Sequence, residues 1–292
     1  MHLICLFSRL SEQLRSDLCG SVSVFRIVST SLFTVCTPPK FIRPLTTMVL
    51  DPCHEGWGMS ATYADLTLDW LGYATSRIAD GERVVYIDPG RYGVLDEYDA
   101  RDGDLVLVTH DDHYDPDGIE RVAASDAVVV IFEGISSEEI GRETRPIADL
   151  DHEIRRVGIG DRFKISGISI EAISAYNEFG GLHSRDDGTP YHPEGEGVGY
   201  RITLDTISVF YPGDSDVIPE YEGLTADVFL APIDDAFTMS PDAILDLAER
   251  METELVVPVH YDTFEALEAN AAEFAAEARA RGLRVEVLSS EQ

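Results

Sequence analysis

The sequence predicts an α+β protein, an αββα four-layer sandwich in which two β-sheets pack face to face with helices outside. Short apolar runs recur as hairpins along the chain, and amphipathic helical stretches separate several of them, which is the pattern of such a layered fold. The 292 residues are 44% hydrophobic. That content is ample for the core of one domain of about 220 residues, with an extension.

Residues 1–58 differ from the rest of the chain. They contain all four cysteines, and they hold five basic and four acidic residues, whereas the remainder holds 17 basic and 50 acidic residues. We expect residues 1–58 to be an atypical extension, disordered or not native to the protein. The folded domain is then 59–292, with Met59 as its natural start. A short regulatory tail is the alternative.

The first predicted strands form a hairpin followed by a buried strand. Residues 66–78 alternate in hydrophobicity and turn at Gly72, and residues 82–90 follow after a second turn. Leu105–Val108 is a run of four apolar residues, which indicates a buried strand.

The middle of the chain adds further strands and one helix. Residues 117–125 predict a short helix, residues 128–134 a strand, and residues 149–161 a polar connection. Residues 162–177 predict two strands that are broken at Gly167.

A long loop with six glycines, Glu178–Gly199, carries His183 and His192. Loops of this length inside a compact domain are usually functional or mobile. We therefore expect it to contribute to a site.

The last third of the domain alternates strands and helices. A second hairpin covers residues 199–216, and strands follow over 226–233 and 254–261. One helix begins at Ser240, a good N-cap residue, and an alanine-rich helix ends at Gly282.

The acidic excess is the strongest feature of the composition, with 54 acidic and 22 basic residues and a formal net charge of −32. High ionic strength screens such self-repulsion, so we expect a cytoplasmic protein of a halophile. Binding to a nucleic-acid backbone needs clustered Lys and Arg, and a membrane span needs about 18 apolar residues in a row. We expect neither nucleic acid nor membrane as a partner.

Residue types that bind metals follow four of the predicted strands. A loop directly after a strand is held on a rigid support, as a metal site requires. For residues 109–115 the alternative is a solvated acidic turn. The residues concerned are Asp88 after the second strand, His110, Asp112, His113 and Asp115 after Leu105–Val108, Asp214 after the second hairpin, and His260 after the last strand.

Five ordered segments resemble the metallo-β-lactamase superfamily. They are TH with HYD, HPEGEGVGY, YPGDSD, APIDDAFTM and PVHYDTF, between about Leu66 and Leu288. The branch they resemble is that of the archaeal and bacterial metal-dependent hydrolases akin to ascorbate-phosphate lactonase, here with a haloarchaeal composition.

The resemblance implies one or two divalent ions, Zn²⁺ first with Mn²⁺ or Fe²⁺ as alternatives. His110, His192 and His260 would be ligands, and Asp214 would bridge two ions. Asp115 would take a proton from the metal-bound water. The resemblance also implies that Asp88 supports the site without binding metal.

The first motif of the family, His-x-His-x-Asp-His, is altered in this chain, and two registers are open. In the first, His110 and Asp112 occupy the two histidine places and Asp115 the last place. In the second, His113 is the second histidine and Asp115 the aspartate, with one residue inserted after His110. We favour the first register, because His110 directly follows the strand.

The expected function is hydrolysis of a small ester, lactone, thioester or phosphodiester by a metal-activated water. The alternative is a catalytically weakened relative that binds a ligand or a single metal without efficient turnover. The partner is a small-molecule substrate, and whether the chain forms a homo-oligomer is open. No Gly-x-Ser-x-Gly elbow or P-loop supports a serine hydrolase or an NTPase.

Overall fold

Two mixed β-sheets form the framework of the chain. The computed structural model describes residues 60–289, so the expectations for residues 1–58 and Met59 lie outside the described part. In this part, no helix has the length and apolar character needed to cross a membrane.

The first sheet has seven strands that lie side by side in chain order. The first four pair antiparallel, and the last four pair parallel. The strands are β1 (Ser60–Tyr63), β2 (Leu66–Gly72), β3 (Thr75–Ala79), β4 (Val84–Ile87), β5 (Gly103–Val108), β6 (Ala123–Phe132) and β7 (Glu153–Val157).

The second sheet has six strands in the order β13-β12-β11-β10-β9-β8. The strands β8 to β11 pair antiparallel, and β11, β12 and β13 pair parallel. They are β8 (Arg162–Ile165), β9 (Ile168–Ser174), β10 (Val198–Leu204), β11 (Ile207–Tyr211), β12 (Val228–Pro232) and β13 (Leu255–Val259).

Buried side chains of both sheets form one continuous hydrophobic core. The two sheets also meet through a buried hydrogen bond, in which the Tyr200 hydroxyl of β10 donates to the carbonyl of Val108 on β5 at 3.0 Å. The ring of Trp70 on β2 also stacks on that of Tyr261, just after β13, with the ring centres 4.3 Å apart. The predicted α+β sandwich is confirmed.

The described chain contains three α-helices: α1 (Pro116–Val122), α2 (Pro241–Arg250) and α3 (Ala271–Ala280). Ser240 caps α2 as predicted, since its side chain accepts a hydrogen bond from the Ala243 N–H. The last helix is shorter than the alanine-rich stretch 264–282 that predicts it. A 3₁₀ turn at Glu265–Leu267 precedes it, and Asn270 caps its start.

Two predicted boundaries in the first sheet are wrong. The helix predicted over 117–125 ends at Val122, because Ala123 already pairs with Gly103 as the start of β6. The connection predicted over 149–161 contains β7, whose alternation is weak because only its last residue is fully buried. Residues 153–157 form a strand because they pair with β6, although their own sequence pattern does not predict one.

Parallel pairing brings the polar strand ends together. The carboxyl ends of parallel neighbours meet at the same edge of a sheet. Asp88 follows β4 and His110 follows β5 in the first sheet, while Asp214, Asp234 and His260 follow β11, β12 and β13 in the second.

Candidate metal centre

Four imidazoles surround the carboxylate of Asp214. The Nε2 atoms of His110 and His192 lie 3.7 and 3.6 Å from its Oδ2 atom. The Nε2 atoms of His113 and His260 lie 3.7 and 3.5 Å from its Oδ1 atom. The latter two nitrogens are also 3.3 Å apart. The carboxylate therefore faces one pair of imidazoles with each of its oxygens.

A short 3₁₀ turn after β5 brings two of these histidines side by side. The turn spans Asp111–His113, with His110 at its N-cap. Residues three apart eclipse one another in a 3₁₀ turn. The rings of His110 and His113 accordingly lie 4.1 Å apart. His113 thus lies beside His110, as in the second register, whereas the favoured first register gives this place to Asp112.

Asp112 points towards solvent, in contrast to its neighbour His113. One carboxylate oxygen of Asp112 still lies within 4.8 Å of the ligand atoms of His110 and His192. Asp112 is therefore at the rim of the cluster, and His113 is inside it.

Each of the four imidazoles uses its Nδ1 atom for a hydrogen bond inside the protein. Histidines that bind metals typically hold their second nitrogen in this way, which fixes the ring orientation. The partners are Thr109 for His110, Asp88 for His113, Asn177 for His192 and Asp234 for His260, at 2.9, 2.7, 3.1 and 3.0 Å.

The hydrogen bonds around Asp88 fix the tautomer of His110. The buried Asp88 carboxylate accepts from the backbone N–H and the hydroxyl of Thr109, at 2.8 and 2.7 Å. Because the Thr109 hydroxyl donates its proton to Asp88, its oxygen accepts the proton of His110 Nδ1. The Nε2 atom of His110 then carries a free lone pair that points at Asp214.

Electrostatics favour a cation between the carboxylates. Burial lowers the pKa of His110 well below its usual value, and the nearby His113 lowers it further. Burial also lowers the pKa of His260, but Asp214 and Asp234 outweigh it and raise the pKa to about 9. Burial would raise the pKa of Asp234, yet its hydrogen bond and charge contact with His260 hold it at about 2.

Three residues of this site have a left-handed backbone conformation. Tyr73, Asp88 and His260 have φ angles of 48°, 46° and 58°, in the left-handed region that non-glycine residues rarely adopt. The surrounding hydrogen bonds hold them there. The His260 N–H donates to the Tyr73 carbonyl at 3.0 Å, and the Thr75 hydroxyl donates to the Asp88 carbonyl at 3.0 Å.

Tyr73 packs against two of the four imidazoles. Its ring lies 4.9 Å from that of His113 and 4.6 Å from that of His260. Burial, and then the charge of Asp214, raise the pKa of Tyr73 well above its usual value, so the phenol stays protonated. Tyr73 therefore lies against one side of the cluster as a neutral group.

The cluster fits a metal ion. His110 Nε2 and Asp214 Oδ1 are buried and make no hydrogen bond within the described residues. Buried polar atoms without partners are rare and call for an explanation such as an ion. Four imidazole nitrogens and a carboxylate are ligands that suit zinc, iron or manganese.

Asp115 does not belong to this cluster, which corrects its assignment as a ligand and as the base. It is the N-cap of α1, and its Oδ1 atom accepts from the N–H groups of Asp117 and Gly118 at 3.0 and 3.1 Å. Its Oδ2 atom accepts from the N–H of Arg91 at 2.6 Å. Both oxygens are thus occupied by backbone donors.

His183 and Asp216 form a separate pair that anchors the long loop. His183 Nδ1 hydrogen-bonds to Asp216, whose other oxygen accepts from the Glu178 N–H at 2.9 Å. Asp216 also receives no contact from the four imidazoles. The pair ties the loop that carries His192 to the chain just after Asp214.

Sequence reasoning assigned no role to Thr109, Asn177 or Asp234, which orient three of the imidazoles. Asp234 follows β12 directly, so the same signal of a polar residue after an apolar run was present for it. Asn177 lies in a loop after β9 and offers no such signal.

Comparisons with known proteins identify the family of this chain. The family described as the beta-lactamase superfamily domain matches residues 67–260. The chain therefore belongs to the β-lactamase superfamily, as the ordered segments predicted.

Its relatives within this superfamily include UPF0173 metal-dependent hydrolases. One from Methanopyrus kandleri is 29% identical over 236 residues, which cover 76% of this chain and 96% of the relative. One from Nitratidesulfovibrio vulgaris is 31% identical over 219 residues, which cover 71% of this chain and 84% of the relative.

Solved structures share the fold. A metallo hydrolase of Ignicoccus hospitalis, Igni18, has a TM-score of 0.58 and 22% identity, over 78% of this chain and 96% of that one. An isothiocyanate hydrolase from Delia radicum gut bacteria has a TM-score of 0.55 and 15% identity, over 77% and 97%. At these identities the likeness shows the fold alone.

Proposed function

We propose that this protein is a metal-dependent hydrolase of a small ester, lactone, thioester or phosphodiester. The observation that carries the proposal is the carboxylate of Asp214, which faces one imidazole pair with each oxygen. Its Oδ1 atom makes no hydrogen bond within residues 60–289. A carboxylate so placed suits one ion or a bridge between two ions. The names of the similar UPF0173 relatives also support a metal-dependent hydrolase.

His110, His113, His192, Asp214 and His260 would hold the metal, with zinc as the first expectation. A bound divalent ion lowers the pKa of a water molecule towards neutrality and polarises the scissile bond. Asp88 and Asp234 hydrogen-bond to the Nδ1 atoms of His113 and His260, so the Nε2 atoms of these rings would be the ones that bind an ion. Asp112, at the rim, is the carboxylate placed to accept a proton near His110 and His192.

The experiment compares His260→Gln with a matched control, His152→Gln. His152 has a buried side chain outside the cluster, 3.7 Å from Glu120. Protein purified without chelator and supplied with zinc, manganese or iron is analysed for metals and assayed on p-nitrophenyl acetate, γ-butyrolactone and bis(p-nitrophenyl) phosphate. We expect at least one metal per chain and measurable turnover in the wild type and in His152→Gln, and loss of both in His260→Gln. Well under half an equivalent of metal in the wild type would refute the proposal.

A weakened relative that holds metal without efficient turnover is the second candidate. The observation that favours it is Asp115, the carboxylate expected to take the proton, because backbone donors occupy both of its oxygens. A full equivalent of metal together with no turnover on any of the three substrates would select this candidate.

A further inference from the structure

A cavity of about 550 Å³ borders the loop that follows β5, and its lining includes Tyr114, Arg91, Arg142 and Arg145 but none of the four imidazoles and not Asp214. Three guanidinium groups in one cavity are unexpected in a chain of net charge −32. A ligand could bind only those guanidinium groups that are not already paired with a carboxylate.

Most of the charges in the cavity already have partners. Arg145 lies 3.3 Å from Asp117 and 3.5 Å from Glu120, so its charge is neutralised. Asp115 is held by three backbone N–H groups. Arg91 and Arg142 have no carboxylate closer than 4.0 Å among the described residues, and Glu143 also lines the cavity.

Arg91 has no carboxylate within ion-pair distance among the described residues. One of its Nη atoms contacts the Tyr92 hydroxyl at 3.2 Å, and its guanidinium lies 4.8 Å from the centre of the Tyr92 ring. Its Nε atom is buried and makes no hydrogen bond within the described residues. A buried donor of this kind is costly unless a partner meets it.

Arg142 is held in place by the loop of the metal centre. Its guanidinium donates to the carbonyls of Asp111 and Tyr114, and Asp112 is 4.0 Å away. Burial lowers the pKa of Arg142, and the charge of Arg91 lowers it further, as expected for two cations that face a common space.

Two residues that line the cavity, Tyr92 and Arg142, connect it to the metal centre. The Tyr92 ring, which lines the cavity, lies 4.9 Å from the Tyr73 ring, and Tyr73 packs on His113 and His260. On the other side, Arg142 reaches the loop that carries His110. Asp112 lies 4.0 Å from Arg142 and at the rim of the cluster, so a substrate that reaches both the cavity and the metal centre would pass Asp112.

We infer that Arg91 and Arg142 bind an anionic group of the substrate, a carboxylate or a phosphate, beside the metal centre. Guanidinium groups present donors that match the oxygens of both anions. The protein's overall negative charge repels such substrates, and these two arginines supply the local attraction. The inference rests on the proposed hydrolase function and adds the substrate class to it.

Arg91 is the residue to test, because Arg142 also supports the loop of the metal centre. Arg91→Gln removes the charge, and Arg91→Lys keeps it. Arg201→Gln is the matched control. Arg201 is half-buried on β10, its Nε atom donates to the Thr225 carbonyl, and its loss changes the net charge by the same amount. Metal content and Tm establish that each variant is folded and loaded.

The first measurement uses three phenyl esters whose acyl chains end in a carboxylate, a phosphate or a neutral methyl ester. We expect the wild type to favour one anionic ester over the neutral one by at least about tenfold in kcat/KM. The better anionic ester identifies the anion. Arg91→Gln should bring the ratio close to one, Arg91→Lys should keep part of it, and Arg201→Gln should leave it unchanged. Equal rates for all three esters in the wild type would overturn the inference.

The second measurement is independent of turnover. Calorimetry with glutarate and with inorganic phosphate should show at least about tenfold weaker binding to metal-loaded Arg91→Gln than to the wild type and to Arg201→Gln. Unchanged affinity in Arg91→Gln would refute the anion site even if no ester is hydrolysed. Absence of hydrolysis with arginine-dependent binding would refute the proposed turnover and leave the anion site standing.

Discussion

His113 and Asp112 are neighbours in the chain, but their side chains lie in different surroundings. His113 is fully buried between Asp88 and Asp214, whereas Asp112 is exposed at the rim. The 3₁₀ turn explains the difference, because it aligns residue 113, and not residue 112, with His110.

The first prediction separates the two registers of the altered motif. His113→Ala should lower the metal content well below that of the wild type, because it removes a buried imidazole whose Nε2 atom lies 3.7 Å from Asp214. Asp112→Ala should keep the metal content and change only turnover. Elemental analysis of both variants checks this. If Asp112→Ala loses metal and His113→Ala keeps it, the register that replaces a histidine by Asp112 is correct.

The second prediction concerns the hydrogen bond from His113 to Asp88. Asp88→Asn keeps the shape of the side chain but no longer offers two acceptor oxygens to His113 and Thr109. We expect metal affinity to fall by roughly 10- to 100-fold. Competition with a chelator measures the affinity.

Asp227→Asn is the control for Asp88→Asn. Asp227 likewise accepts from a backbone N–H and a hydroxyl, both of Ser208, but it lies outside the cluster. An equal loss of metal affinity in both variants would mean that the effect is one of general stability and not of imidazole orientation.

At the scale of elements, the helix α1 explains the position of the Asp115 carboxylate, which caps the helix and does not join the metal centre. The helix begins directly after the motif, at Pro116, and Asp115 is its N-cap. Negative charge and a side-chain acceptor at this position satisfy the free N–H groups of the first turn. The capping role explains why an aspartate within the motif faces away from the four imidazoles.

The third prediction tests this role of Asp115. Asp115→Ala should lower the free energy of unfolding by about 1–2 kcal/mol through loss of the cap. Asp115→Asn keeps an acceptor for the helix and loses only the bond from the Arg91 N–H, so it should cost less. Both variants should retain their metal. Denaturant unfolding and elemental analysis are the measurements, and loss of metal in Asp115→Asn would restore Asp115 as a ligand.

At the scale of the whole molecule, negative charge dominates. Its formal value is −32, and many ion pairs of the described chain are exposed pairs such as Arg101 with Asp99. Exposed pairs contribute little to stability. The remaining acids repel one another and nucleic acids alike, which supports a small-molecule substrate as the proposed partner.

The fourth prediction is a salt dependence. Added KCl screens the repulsion, since the Debye length falls from about 10 Å at 0.1 M to about 3 Å at 1 M. The Tm of the metal-loaded protein should therefore rise steeply towards molar KCl. A Tm that is flat or falls with added salt would contradict the expected halophilic source.

The sequence by itself determined the two sheets, the superfamily and three residues of the His/Asp cluster. Apolar runs mark β5, β11 and β13, and each ends at a residue of the cluster: His110, Asp214 and His260. These signals are local, because periodicity and the residue after a strand can be found within about ten residues of chain. The strand β7 escaped prediction because its burial comes from its neighbour β6.

Only the tertiary structure decided which residues of the altered motif face the cluster and what surrounds it. A 3₁₀ turn selects His113, a helix N-terminus takes Asp115, and Asn177 reaches His192 through loop packing. The cavity with Arg91 and Arg142 joins segments about 50 residues apart. Such contacts depend on how turns and loops are placed on the sheets, and no periodicity in the chain encodes that placement.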